Sequence, residues 1–586
     1  MASRKKQSNA RKRDGIHFVN ARPSSETERL TAQRLVRAHV GRWISDQTKG
    51  RSTTDEPSSN TATNPLRNSI SSDHAESSYP LVSRPSPYAA HRALAMGAGS
   101  LRPQGEWPRS PFPPASDSSD SSSDDTNSMT NLGEPVAIFT WDEVPRIEPP
   151  ISGFLDPFTQ YPSKFSPEVV NLCENYCLSV LWPGLIPKSM GHEKKAGETW
   201  FPLALSDPAL FTAFMFGSLC HQRVQWLKGW VPGSSFGSNQ QRTLQLCEME
   251  SINLISQAVQ DPTRAVSDAV LLSVICMAHH QALEASPDQY RRTPFTPPFQ
   301  RLQWLDVYGH LPPNMIHVSG LVQLVKMRGL KNIKLHGLRP TICFSDVMTA
   351  SCLCIAPCFE FCAIDESRGD KSVQELLGFG PSDIEHSFGW LQNIGVTPQM
   401  AEALQAATTY VNIMKGCMEA GYEVSLLSDQ RNLAQYTLLS VPAAADIQSA
   451  FSHPTEEATY EACRLAMLIF SVGVVFPIPA NNTPLLRLAQ LLQAVLRQPN
   501  ASVLWSSPNH SIPLIWILTL GGIAAFDGGP ERPFFVSALR ETTRRNGLSS
   551  WADVKRALEV MLWYDIACDE AGESLFSEAS RSYIME

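Results

Sequence analysis

HVSGLVQLVKMRGL at 317–330, followed by HGLRPTICFSDVMTAS at 336–351, decides how this chain reads. Apolar residues at Met315, Val318, Leu321, Val322 and Val325 recur at the spacing of one helical face. Pro312 and Pro313 stand where a helix can begin, because its first turn needs no backbone donor. Lys326 and Arg328 place cations near the negative end of the helix dipole, and Gly329 can then leave the helix. Gly320 lies in the middle, where glycine costs about 1 kcal/mol relative to alanine. Another backbone is therefore expected close against it. A second helix is expected over 340–362, since Ile342–Phe361 carries only Asp346 and Glu360 as charges. A buried Asp346 needs a partner. Arg328, Arg339 and His317 are the candidates for a structural pair. A catalytic carboxylate is the competing reading, with no second acid, base or nucleophile beside it.

Working outward, the chain divides by composition. Residues 1–51 hold thirteen basic and four acidic side chains, a net of +9, which leaves −17 for the rest of a chain whose net charge is −8. Arg4, Lys5 and Lys6, then Arg11, Lys12 and Arg13, form two basic clusters and read as a bipartite nuclear import signal. Ser25-x-x-Glu28 is a capping-box pattern ahead of a loose apolar stripe, Leu30, Val36, Val40, Trp43 and Ile44. Arg34, Arg37 and Arg42 make the other side of that helix basic, as candidates for nucleic-acid or partner contact. From 52 to 132 the chain is rich in Ser, Pro, Thr and Asn and ends in DSSDSSSDDTNS at 117–128. So few apolar groups cannot offset ordering entropy, and a disordered linker is expected.

Residues 133–586 read as globular, after a Pro-rich strap over 135–167. Helical spacing predicts helices near 167–182, 207–228, 239–260, 263–284, 313–328, 340–362, 398–420, 456–472, 484–497, 510–526, 531–544 and 549–567. Strand alternation is scarce. The expected fold class is all-α, an irregular multi-helix array preceded by a basic helix and a long disordered linker. The length of 586 residues suggests two or more units. The longest apolar run, 512–526, is shorter than the ~20 residues of a membrane span. It reads as a buried helix, and no membrane partner is expected.

Several short arrangements invite a chemical reading. Cys354, Cys358 and Cys362 are four apart, with Cys352 nearby, and would form a stripe on a helix, though Pro357 must bend or interrupt it. They read as small buried hydrophobes, with metal binding or redox sensing as the alternative. Cys276, His279 and His280 would place a thiol and imidazoles on one face, again a packing role first. Gly233-Ser234-Ser235-Phe236-Gly237 matches the nucleophile-elbow pattern but lacks the preceding strand which that turn needs. No phosphate loop or dinucleotide fingerprint occurs, so no enzyme and no cofactor are expected. Thirteen cysteines, none before Cys173 and none in CxxC spacing, suggest a reducing compartment.

His317-x-x-Gly320-Leu321-x-x-x-Val325-x-x-Arg328-Gly329, with Asp346 further on, resembles the helical regulatory domain of fungal-specific transcription factors. So does Phe154-Leu155-Asp156-Pro157-Phe158 before Pro162, and Pro167-Glu168-Val169 leading to Tyr176. Trp516-x-x-x-Leu520-Gly521-Gly522-Ile523-Ala524, then Glu531-Arg532-Pro533-Phe534-Phe535, is similar to its late helices. Ile16-His17-Phe18-Val19-Asn20 and Val36-Arg37-Ala38-His39-Val40 look like the N-terminal box of members without a zinc cluster. The family often carries a binuclear zinc cluster of six close cysteines, and the basic head here has none. The resemblance implies a nuclear transcriptional regulator whose helical domain holds protein partners, either transcription machinery or a DNA-binding partner. Direct DNA binding is then expected to be weak and non-specific. An all-α interaction scaffold that never works at promoters is the alternative.

Overall fold

The computed structural model describes residues 161–186, 196–230, 238–282, 293–364, 371–420, 427–526 and 528–581. The expectations for the basic head, its helix, the linker, the start of the helical domain and the 233–237 pattern lie outside these residues. The described residues are all-α: no strand occurs among them. One contiguous apolar core runs through them, from Val170 to Ala579.

The first layer begins at α1 (Pro167–Tyr176), with proline in the first turn. A π turn at Cys177–Leu181 carries it into a short helix, α2 (Trp182–Leu185). Next come α3 (Ala196–Ser206), α4 (Pro208–Leu227), α5 (Ser238–Ala258) and α6 (Asp268–His279). Helix α4 is the hub and packs against α1, α3, α5 and α6. Its start is fixed locally. Asp207 accepts from the N–H groups of Ala209 and Leu210, and Pro208 needs no donor there. Asp207 also meets Arg264 at 2.9 Å, which ties this cap to the turn before α6.

A short helix α7 (Leu305–Tyr308) precedes α8 (Met315–Arg328), which lies along α6, and α9 (Leu338–Leu353). Gly329 ends α8 with φ +81°, a backbone state that side chains with a Cβ rarely adopt. Helix α9 is shorter than the expected 340–362. Cys354 takes φ +54° at its end, and Pro357 cannot continue the ladder. The chain folds back, so that Asp346 accepts from the N–H groups of Cys358 (2.6 Å) and Phe359 (2.9 Å). The thiol of Cys343 donates to the Glu360 carbonyl in the same fold-back. The cysteine stripe therefore does not form: Cys358 and Cys362 lie past the helix.

Two short helices, α10 (Val373–Leu377) and α11 (Pro381–Phe388), lead to α12 (Pro398–Ala420), which packs against α13 (Leu427–Leu439). Helix α13 buries polar groups. Arg431 donates to the Leu302 carbonyl, Gln303 and Asn432, and lies over the rings of Phe344 and Phe476. Gln435 donates to Ser351 and Ser471. These bonds hold Gln303 and Trp304 at φ +54° and +56°, a strained state that survives only where its surroundings over-determine it.

The last layer is α14 (Pro454–Phe470, extended by a π turn over Ser471–Val475), α15 (Leu485–Leu496), α16 (Ser502–Ser506), α17 (Ser511–Ala524), α18 (Arg532–Arg545), α19 (Trp551–Glu559) and α20 (Asp565–Arg581). Pro454–Val475 is long and apolar enough to cross a membrane, and 89% of its apolar 18-residue window is buried within the fold, where helices supply its apolar surroundings. Helix α17 is buried from Pro513 to Ala524. A Cβ on Gly521 would fall within 3 Å of Phe535, and one on Gly522 within 3 Å of Leu575. The glycines let α18 and α20 press against the α17 backbone. The helix expected over 549–567 is broken at 560–564. That break frees the Leu562 carbonyl to accept the Trp516 indole N–H at 2.8 Å.

Candidate functional site

Of the residues singled out by sequence, Arg4, Lys5, Lys6, Arg11, Lys12, Arg13, Arg34, Arg37 and Arg42 lie outside the described residues. The remaining five are structural. Gly320 is buried on α8. Arg328 reaches Asp268 at 2.7 Å and donates to the Val266 carbonyl at 2.6 Å, locking the end of α8 to the start of α6. Arg328 is thus spent on Asp268 rather than on Asp346. Asp346 answers two backbone donors instead. Burial pushes its carboxyl up to about 6, with those N–H groups pulling the other way. His317 is fully buried in the first turn of α8, and burial lowers it to about 4, so it is neutral at pH 7.

Cys276, His279 and His280, read from sequence as packing residues, line a chamber among the described residues. The π turn after α1 delivers Leu181 and Trp182 to one wall. π turns are rare and recur at functional sites. Trp200 of α3, Phe214 and Gly217 of α4, Ile275 of α6 and Met348 of α9 add to it. Trp182 meets Phe214 and Trp200 edge-on, at centroid distances of 4.7 and 5.7 Å. Its indole partner Trp200 is held by the His336 carbonyl at 2.9 Å. About 40 Å³ is open to the centre of a water molecule, and the wall is almost wholly apolar.

The polar side chains on the wall are His279, His280, Tyr308, Thr341 and Ser345. His280 is 5% exposed, and its Nδ1 donates to the Cys276 carbonyl at 2.7 Å. That bond needs the proton on Nδ1, so Nε2 is a bare acceptor, and it has no partner. Burial lowers His280 to about 4 and His279 to about 3. His279 Nε2 meets Ser345 Oγ at 2.5 Å. Behind the wall, Tyr176 bridges Gln225 and His221 Nδ1. The rings of His221 and His280 both lie edge-on to Tyr308. Burial raises the Cys276 thiol to about 12, so it stays protonated and is a poor nucleophile or metal ligand. Among the described residues no three His, Cys, Asp or Glu side chains come together as a metal-ligand set. The one serine–histidine contact on the chamber wall, Ser345 with His279, is buried, and His279 Nδ1 has no partner to orient the ring.

No family model, no curated protein and no solved structure matches this chain.

Proposed function

We propose that this protein is a nuclear transcriptional regulator that works through its helical body, without a zinc-cluster DNA reader of its own. The observation that best supports this reading is the place of the motif that resembles the fungal-specific regulatory domain. Its residues are joints of the core. Gly329 takes a positive φ, Arg328 joins α8 to α6, and Asp346 pins the chain after α9. The late motif behaves alike, since Arg532 binds Glu578 and the Gly522 carbonyl across the glycine pair. A motif spent on architecture leaves recognition to surfaces and partners. The basic head supplies import through its six clustered cations, and screened phosphate contacts that carry no base information. Promoter choice then belongs to a partner protein held by the acidic body. The buried thiols and neutral histidines favour a binding role over catalysis.

Replacing Arg4, Lys5, Lys6, Arg11, Lys12 and Arg13 by alanine in a fluorescent fusion of the full chain tests the import step. Loss of nuclear accumulation is expected, and unchanged accumulation would contradict it. Purified full-length protein is then titrated with a candidate promoter and with scrambled DNA, with and without chelator. Weak, salt-steep and sequence-indifferent binding is expected, unaffected by chelation. Strong preference for one sequence would overturn the partner-dependent reading.

A further inference from the structure

We propose that the basic face formed by the ends of α15 and α18 around α16 is a docking surface for an acidic segment of this same chain, the run at 117–128. The inference stands whether or not the chain works at promoters.

The face runs against the charge of its surroundings. The chain beyond residue 51 carries a net −17, yet α18 holds four arginines against Glu541 alone, a net of +3. No other helix among the described residues exceeds +2. Two of the four cations are spent inward, Arg532 on Glu578 and Arg540 on the Ala579 carbonyl. Arg544 and Arg545 remain exposed and share Glu541, at 3.0 and 3.3 Å. A third exposed cation, Arg497, follows α15 and lies over the Phe534 ring at 4.9 Å. Phe534 meets Trp505 of α16 edge-on at 6.5 Å, and Arg545 donates to the Trp505 carbonyl. The Trp505 indole is fixed by the Leu496 carbonyl at 3.2 Å. The aromatic pair thus joins Arg497 and Arg545 into one face. Its three exposed cations share one carboxylate, and Arg497 has no carboxylate partner among the described residues.

Charge and tether identify the occupant. DSSDSSSDDTNS at 117–128 holds four carboxylates and no base. A carboxylate matches the donor fork of a guanidinium. The run ends 33 residues before Tyr161, where the described fold begins. A chain of that length reaches about 110 Å extended, which spans the body, and averages about 30 Å as a coil. Such a tether holds the run at an effective concentration of about a millimolar, so even a weak contact is largely closed. Duplex DNA is the rival polyanion, but it comes untethered and against the field of an acidic body. Docking of the run hides this face from other anions, and salt releases it.

The test is timed digestion of the full-length protein, at low salt, with a protease that cuts before aspartate. Asp117, Asp120, Asp124 and Asp125 are the probes; Asp55 and Asp73, further up the chain, are the internal control. Arg497→Glu with Arg545→Glu is expected to speed cutting at the probes about threefold to tenfold and to leave the controls unchanged. High salt should bring the wild type to the rate of the variant. Arg497→Gln with Arg545→Gln removes charge without reversing it and should act in the same sense, which guards against misfolding of the first variant. Equal probe rates in the wild type and both variants overturn the proposal, as does an acceleration shared by Asp55 and Asp73. Protection that grows with protein concentration assigns the face to a second copy. Duplex DNA that binds the wild type and not the variants, with probe rates equal, assigns it to nucleic acid. Either result overturns docking within the chain.

Discussion

Two parts of one core solve packing in opposite ways. Around α17 the fold removes side chains to bring backbones together: Gly521 receives Phe535 and Gly522 receives Leu575, each where a Cβ would collide. The buried polar groups of α17 itself are spent: the Trp516 indole reaches the Leu562 carbonyl through a helix break, and Thr519 donates to the Ile515 carbonyl. Around α6 the fold does the reverse. Large rings meet edge-on, a chamber stays open, and His280 keeps an unanswered acceptor. The first arrangement holds shape and can hold nothing else. The second leaves open space and an unanswered acceptor at one spot.

The contrast can be broken at several strengths. The largest effect is expected from Trp516→Ala, which empties a fully buried indole site and orphans the Leu562 carbonyl. It should cost about 3–5 kcal/mol in urea unfolding. Gly522→Leu should cost about 1–3 kcal/mol or more, since Leu575 has no room to yield. Ile275→Phe adds bulk of the same kind beside the chamber and should cost less than about 1.5 kcal/mol. Equal penalties for these two would dissolve the distinction between the regions.

A third effect depends on pH. The folded pKa of His280, about 4, lies below the ordinary value, so the unfolded chain binds more protons between about 6.5 and 4. Its contribution is present above pH 6.5 and is lost as pH falls through that window. The stability difference between wild type and His280→Phe should therefore shift against wild type, by at most about 1.4 kcal/mol per pH unit. His279 titrates in the same sense, and Asp306, raised by burial to about 7, in the opposite one. Both are common to the two proteins. A difference flat from pH 7 to 5 would contradict the neutral, buried assignment. The smallest effect is at the surface. Ser550 caps α19 in a reciprocal pair with Asp553, and Ser550→Ala should cost about 1 kcal/mol.

Much of this was legible in the sequence, for identifiable reasons. Gly329, the start at Pro208 and the span of α12 follow from local rules about glycine, proline and helical spacing. Helix α13 was not legible. Ser428, Asp429, Arg431, Asn432 and Gln435 are buried, so the polar residues that usually mark the outer face of a helix point inward here. The stop at Cys354 was missed because Asp346 draws the chain back through bonds twelve and thirteen residues away. The break after α19 serves Trp516, which is equally remote. The chamber has no local signal, since its walls come from five helices. Cys276, His279 and His280 in an otherwise apolar helix were the one visible trace.

Chromatin occupancy measured for the full-length protein, for the chain without residues 1–51, and for that truncation carrying a foreign import signal tests the functional reading most directly. The account predicts discrete promoter peaks for the full chain, their loss on truncation, and their return when import is restored, because the partner is held by the helical body. Absence of promoter enrichment in the full chain would contradict regulation at promoters and favour the scaffold. Peaks that fail to return would place targeting in the basic head.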